Sequence, residues 1–191
     1  PSNSFDWNDR DPASNETVIQ GTSTCSYVVD IDTESWCKLV GFVVEVNSRN
    51  YQTGVRVYNS NDIVIASNQV KKDDTDSGKN AIDVTSTEDI EISGNQITAD
   101  MSNTNKGWLN GILYAYGDGT WSIEENIVAY CNTISTSSCG IVTNGMESNG
   151  TISDNRVTYS SIGISCIEED SESGDVKVED NRIGYCDYGI K

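Results

Sequence analysis

The chain has 191 residues and sets 30 acidic side chains against 12 basic ones, a formal net charge of −18. That balance argues against nucleic acid and anionic membrane surfaces as partners, and no apolar stretch approaches the roughly 20 residues of a membrane helix. Histidine is absent, which removes Ser-His-Asp and Cys-His catalysis, His-ligated zinc and any imidazole base.

In chain order, residues 1–16 are a polar N-terminal extension that contains Phe5 and Trp7. It lacks the basic-then-apolar form of a secretory signal, so the chain reads as mature or excised. Short alternating segments begin at Thr17: Thr17-Val18-Ile19-Gln20, Val28-Val29-Asp30-Ile31 and Leu39-Val40-Gly41-Phe42-Val43-Val44. A repeat follows, carried by Ile63 to Val70, Ile90 to Ile97, Trp121 to Val128, Ile152 to Val157 and Val176 to Ile183. One template covers all five: apolar, any, apolar, two mostly polar, Asn, any, apolar. Its asparagines, Asn68, Asn95, Asn126, Asn155 and Asn181, stand 27, 31, 29 and 26 residues apart, and Phe42 holds the slot 26 residues before the first. A second motif follows after a variable gap, as in Gly54-Val55-Arg56-Val57, Ala81-Ile82-Asp83-Val84, Gly111-Ile112-Leu113-Tyr114, Gly140-Ile141-Val142-Thr143 and Gly163-Ile164-Ser165-Cys166, with Gly189-Ile190 last.

Both motifs alternate with period two, which predicts short strands with one buried face. No segment carries a helical apolar stripe, so hardly any α-structure is expected. Two or three short strands cannot close a core alone, but units stacked in register bury one continuous apolar column. The expected fold is therefore all-β, a single-stranded parallel β-helix of about six coils over residues 17–191, with equivalent residues about 4.8 Å apart. The Asn column is assigned a structural role: Asn tolerates left-handed backbone at a corner, and stacked amides bond one to the next.

The template Ile-x-Ile-x-Gly-Asn-x-Ile with its following Gly-Ile resembles the right-handed parallel β-helix repeat of the pectate-lyase-like superfamily. The entry segments from Thr17 to Val44 are similar to those of its secreted, multi-repeat members. The resemblance implies a right-handed solenoid. It implies little about activity, because the repeat encodes stacking and is shared by lyases, hydrolases, epimerases, tailspikes and adhesins. Of the family's chemistries, the His-dependent ones find no residue here. The pectate-lyase type, which uses carboxylate-held Ca²⁺ with Arg as base, is the enzymatic alternative.

Cys25, Cys37, Cys131, Cys139, Cys166 and Cys186 form no C-x-x-C pair, so a zinc ribbon or thioredoxin-type motif is excluded. Disulfides and buried thiols are the two readings left. Close spacing favours Cys25 with Cys37 and Cys131 with Cys139, leaving Cys166 with Cys186. Disulfides, an acidic polar surface and the sequons at Asn15 and Asn149 together suggest an extracellular or cell-surface setting.

The candidate metal column is Glu125, Asp154 and Asp180, which precede the Asn in successive coils. Like charges at rung spacing repel, and Ca²⁺ would relieve this; Arg156 and Arg182, beyond the Asn, would neutralise the acids instead. A solvated charge ladder, a Ca²⁺ site and a catalytic groove all remain open for this column. Acidic runs at Asp73-Asp74-Thr75-Asp76 and Glu168-Glu169-Asp170-Ser171-Glu172 read as solvated loop tips. Trp108, with Tyr114 and Tyr116 after it, is the candidate aromatic binding surface for a sugar or a partner protein, the alternative being that Trp108 covers the core edge. Tyr130, Tyr159 and Tyr185 read as a packing stack. No residue is assigned a catalytic role. The overall expectation is a non-catalytic extracellular module, structural or binding: a surface protein, an adhesin or a fibre subunit. Its expected partners are a glycan, another surface protein or, end to end, its own copies. A Ca²⁺-dependent acidic-polysaccharide lyase is the alternative.

Overall fold

The computed structural model describes residues 17–21, 25–47, 52–72, 79–99, 107–131, 137–167 and 174–191. The N-terminal extension with Phe5, Trp7 and Asn15, and both acidic runs, lie outside these residues. The described chain contains no helix; it forms twenty strands in three sheets, and every strand pair is parallel. Sheet A holds Thr17–Gln20, Phe42–Val46, Gln69–Lys72, Gln96–Ala99, Ile127–Ala129, Arg156–Thr158 and Arg182–Gly184. Sheet B holds Tyr27–Asp32, Thr53–Tyr58, Asn80–Thr85, Asn110–Ala115, Cys139–Asn144, Ile162–Ile167 and Tyr188–Ile190. Sheet C holds Lys38–Val40, Asn61–Ala66, Glu88–Ser93, Asp118–Glu124, Gly150–Ser153 and Val176–Glu179. The chain visits A, B and C in turn, so each strand pairs with its counterpart one round away. The result is a β-solenoid.

Strict register explains why the repeat needs aliphatic residues where it has them. Val44, Val70, Ile97, Val128, Val157 and Ile183 align along sheet A. Leu39, Ile65, Ile92, Ile123, Ile152 and Val178 align along sheet C, and Val55, Ile82, Ile112, Ile141 and Ile164 along sheet B. These three columns meet in one core, where most of their members are fully buried. β-Branched side chains suit it because they pack well on a pleated surface.

The Asn ladder occupies the corner between sheets C and A, but the left-handed backbone does not belong to it. The positive φ angles fall one residue earlier, at Gly41, Ser67, Gly94, Glu125, Asp154 and Asp180. Asn earns its slot by hydrogen bonding. Each Oδ1 accepts the backbone N–H of the preceding round: Phe42 to Asn68 at 3.0 Å, Asn68 to Asn95 at 3.0 Å, Asn95 to Asn126 at 3.0 Å, Asn126 to Asn155 at 2.9 Å and Asn155 to Asn181 at 3.0 Å. Each Nδ2 donates to a sheet C carbonyl, those of Leu39, Ile65, Ile92, Ile123 and Ile152 in turn, at 2.8–2.9 Å. A sharp corner would otherwise bury backbone groups without partners; one amide per round satisfies both sides of it.

Candidate functional site

Once the inward columns are assigned to the core, function is left to the outer face and the corners. The last rounds of sheet A carry the densest chemistry. Outward positions alternate with the inward Val128, Val157 and half-buried Ile183, so Ile127, Arg156 and Arg182 form one outer column and the small Ala129, Thr158 and Gly184 a second, of which Ala129 is covered. The strands end at Tyr130, Tyr159 and Tyr185, whose rings stack at 4.8 Å between centroids, 16° and 4° from parallel. All three tyrosines have left-handed backbone, with φ of 65°, 57° and 56°. That conformation disfavours bulky side chains, and ring stacking within the ladder offsets the cost.

On the other side of the arginines stand Asp154 and Asp180, exposed at the left-handed corner. With Ile127, Asn155, Arg156 and Arg182 they line an open cleft of about 510 Å³. The expected neutralisation of acid by base is absent. Arg156 and Arg182 face each other in register, and among the described residues the ion pairs are Arg56 with Asp30 and Asp32, and Lys177 with Glu179. Like charges directly opposite on neighbouring strands repel, so the cleft presents two guanidiniums whose charge an anionic group on a ligand would satisfy. Glu125 stacks with Asp154 and Asp180 at the corner; among the described residues no three Asp, Glu or Cys side chains are grouped to hold a metal ion.

The aromatic surface expected around Trp108 is corrected by burial. Trp108 and Tyr114 are fully buried and only Tyr116 is exposed. Trp108 donates its Nε1–H to the Thr98 carbonyl at 3.0 Å. Tyr114 takes a core position between Val84 and Thr143, donates to the Thr87 carbonyl at 2.8 Å and meets Trp121 edge to face at 5.4 Å. Burial, with Asp118, Asp89 and Glu88 adding, pushes the Tyr114 hydroxyl well above its ordinary range. Polar partners let both rings fill the core, which for Trp108 is the alternative reading, that it covers the core edge.

Cys37, Cys131, Cys139 and Cys186 are thiols, so none of the three expected disulfides is formed in the structure. Burial, reinforced by the neighbouring Cys139, raises the Cys131 thiol strongly, and burial pushes Cys139 up to about 11. Cys186 instead contacts Ser160, Sγ to Oγ 3.2 Å. Asn149 is exposed, and its Oδ1 accepts the Asp175 N–H at 2.8 Å.

Sequence reasoning missed the Arg56 cluster. Arg56 bonds Asp30 at 3.1 Å and lies 4.7 Å from the ring centroids of both Tyr27 and Tyr58. The signal was available, since the outward slots of the first two sheet B strands pair acids with a lone Arg between tyrosines.

The chain matches a family model described as right handed beta helix region over residues 27–191. No curated protein and no solved structure matches it.

Proposed function

The chain belongs to the right-handed β-helix family, and from that premise we propose that it is an extracellular, non-catalytic module of a surface protein, adhesin or fibre, which binds a glycan on the outer face of its last rounds. The observation that carries this reading is the cleft of Ile127, Asp154, Asn155, Arg156, Asp180 and Arg182. It offers in-register guanidiniums without ion pairs for an anionic substituent, carboxylates for hydroxyl groups, and a column of small side chains between the arginines and the stacked tyrosines. A general acid working near neutral pH is usually made by burying a carboxyl, whereas both carboxyls here are exposed. Binding without turnover is the chemistry this surface supports best.

Titrating the chain calorimetrically against a panel of neutral, carboxylated and sulfated glycans tests the reading. Binding by an anionic member, lost in an Arg156→Ala/Arg182→Ala variant that melts like the parent, is the expected result; a blank panel, or binding indifferent to both arginines, refutes it. The second reading, a Ca²⁺-dependent lyase, is favoured by the same placement of arginine beside carboxylates. It requires Ca²⁺-dependent ultraviolet absorbance from unsaturated uronide on a uronate panel.

A further inference from the structure

The charges around the cleft of the last rounds stand in two separate rows. Arg156 and Arg182 face each other in register on outer sheet A. Asp154 and Asp180 occupy the left-handed corner two residues earlier in the same rounds, at φ 55° and 54°. All four line one cleft of about 510 Å³, whose two guanidiniums and two carboxylates sum to zero within a chain of −18.

Elsewhere on this solenoid, opposite charges one round apart close on each other: Asp30 is in register with Arg56, and the two meet at 3.1 Å. In the cleft the register sets Arg against Arg, the acids stack at the corner, and among the described residues none of the four takes part in an ion pair. The residue between the rows cannot bridge them. The Asn155 Nδ2 is engaged by the Ile123 and Ser153 carbonyls and the Asn181 Oδ1, and the Asn181 Nδ2 by the Ile152 and Glu179 carbonyls.

A ligand carrying anions alone would satisfy the guanidiniums but bring its charge toward two carboxylates on an already anionic protein. A neutral ligand would leave both rows uncompensated. One with a cationic group beside its anionic group satisfies both rows at once through charge-assisted hydrogen bonds.

On the basis of the glycan reading, on which this inference rests, we propose that the cleft selects a zwitterionic glycan bearing a carboxylate and a free ammonium. The carboxylate accepts from Arg156 and Arg182, and the ammonium donates to Asp154 and Asp180.

The test titrates the full chain calorimetrically with an O-carboxymethyl chitosan oligosaccharide and with its N-acetylated derivative, which differ only in the ammonium. Mildly acidic pH keeps the amine charged, and physiological ionic strength screens diffuse attraction beyond about 8 Å. The free amine should bind about fivefold or more tighter than the acetylated form. In Asp154→Asn/Asp180→Asn, whose asparagines suit the left-handed corner, that preference should vanish, while the acetylated form binds as in the parent or tighter. Arg156→Ala/Arg182→Ala should lose both. Equal binding of the two forms by the parent, or a preference for the amine that survives in the Asp variant, overturns the zwitterion inference; the glycan reading then stands if the arginines still matter. Binding of neither form overturns the inference too, and a blank glycan panel beside it removes the glycan reading as well.

Discussion

Replacing Asn126 by Leu probes the corner ladder at its centre. Its Oδ1 accepts the Asn95 N–H and the Asn95 Nδ2, both at 3.0 Å. Its Nδ2 donates to the Ile92 carbonyl at 2.9 Å, the Glu124 carbonyl at 2.9 Å and the Asn155 Oδ1 at 3.0 Å. The Asn95 Nδ2 keeps Ile65, and the Asn155 Oδ1 keeps the Asn126 backbone N–H. The Asn95 N–H and the side-chain donor to Ile92 have no substitute, and Asn95 and Asn126 are buried. Leaving a buried polar group unsatisfied costs about 1–3 kcal/mol, so the loss should be about 3 kcal/mol. Asn181 at the last rung makes the same two bonds, to the Asn155 N–H at 3.0 Å and the Ile152 carbonyl at 2.8 Å, but it is half-buried, so water can replace part of what is lost and Asn181→Leu should cost about half as much. Urea unfolding followed by far-ultraviolet circular dichroism measures both. A cost under about 1 kcal/mol for Asn126→Leu, or equal costs at the two positions, would refute the hydrogen-bond account of the ladder.

Three further outcomes follow from the same geometry. Glu125 has φ 55° in the slot that Gly94 fills one round earlier, so Glu125→Gly should leave stability unchanged or raise it by up to about 1 kcal/mol; a clear loss would mean that the carboxylate holds something. A Cβ on Gly140 would collide with Val157 Cγ1 and lie 2.7 Å from the Gly163 carbonyl, so Gly140→Ala should lower the urea midpoint by the equivalent of about 2–3 kcal/mol. The folded Cys139 thiol, pushed by burial from 9.0 to about 11, makes the native state hold its proton longer than the unfolded chain does. Stability is therefore undiminished below pH 9 and falls as pH rises through 9 to 11. Cys139→Ser should flatten that fall, and thiols titrating in the unfolded, unreduced protein would exclude the disulfides suggested by spacing.

The solenoid was legible because stacking forces each inward residue to meet its own kind one round later. Ile65, Ile92, Ile123 and Ile152 are both a sequence period and a physical column. The same logic located the Asn slot but misassigned its cause by one residue, since a φ angle leaves no periodic mark when Gly, Ser, Glu and Asp all serve in the left-handed position. Trp108 and Tyr114 misled for a related reason. An aromatic residue in an alternating segment reads as surface or core according to whether its polar atom finds a partner, and the Thr98 and Thr87 carbonyls that decide the matter lie 10 and 27 residues away.

The outer face is harder to read because nothing there must repeat. An exposed side chain affects stability little whatever its identity, so a ligand-binding residue and a neutral one look alike along the chain. Departures from a column's own rule are therefore more informative than membership of it. At the corner after sheet B, Thr33, Trp36 and Tyr116 take the left-handed backbone that Asn59, Asp62, Asp89 and Gly119 suit better. Along outer sheet A, Gln69 and Gln96 give way to Ile127 and then to Arg156 facing Arg182, a like-charged pair that stacking alone opposes. The arginine pair lines a cleft with Asp154 and Asp180, and among the described residues none of the four takes part in an ion pair. Where a fold this repetitive tolerates a residue that its own geometry disfavours, the compensating interaction is to be sought outside the chain.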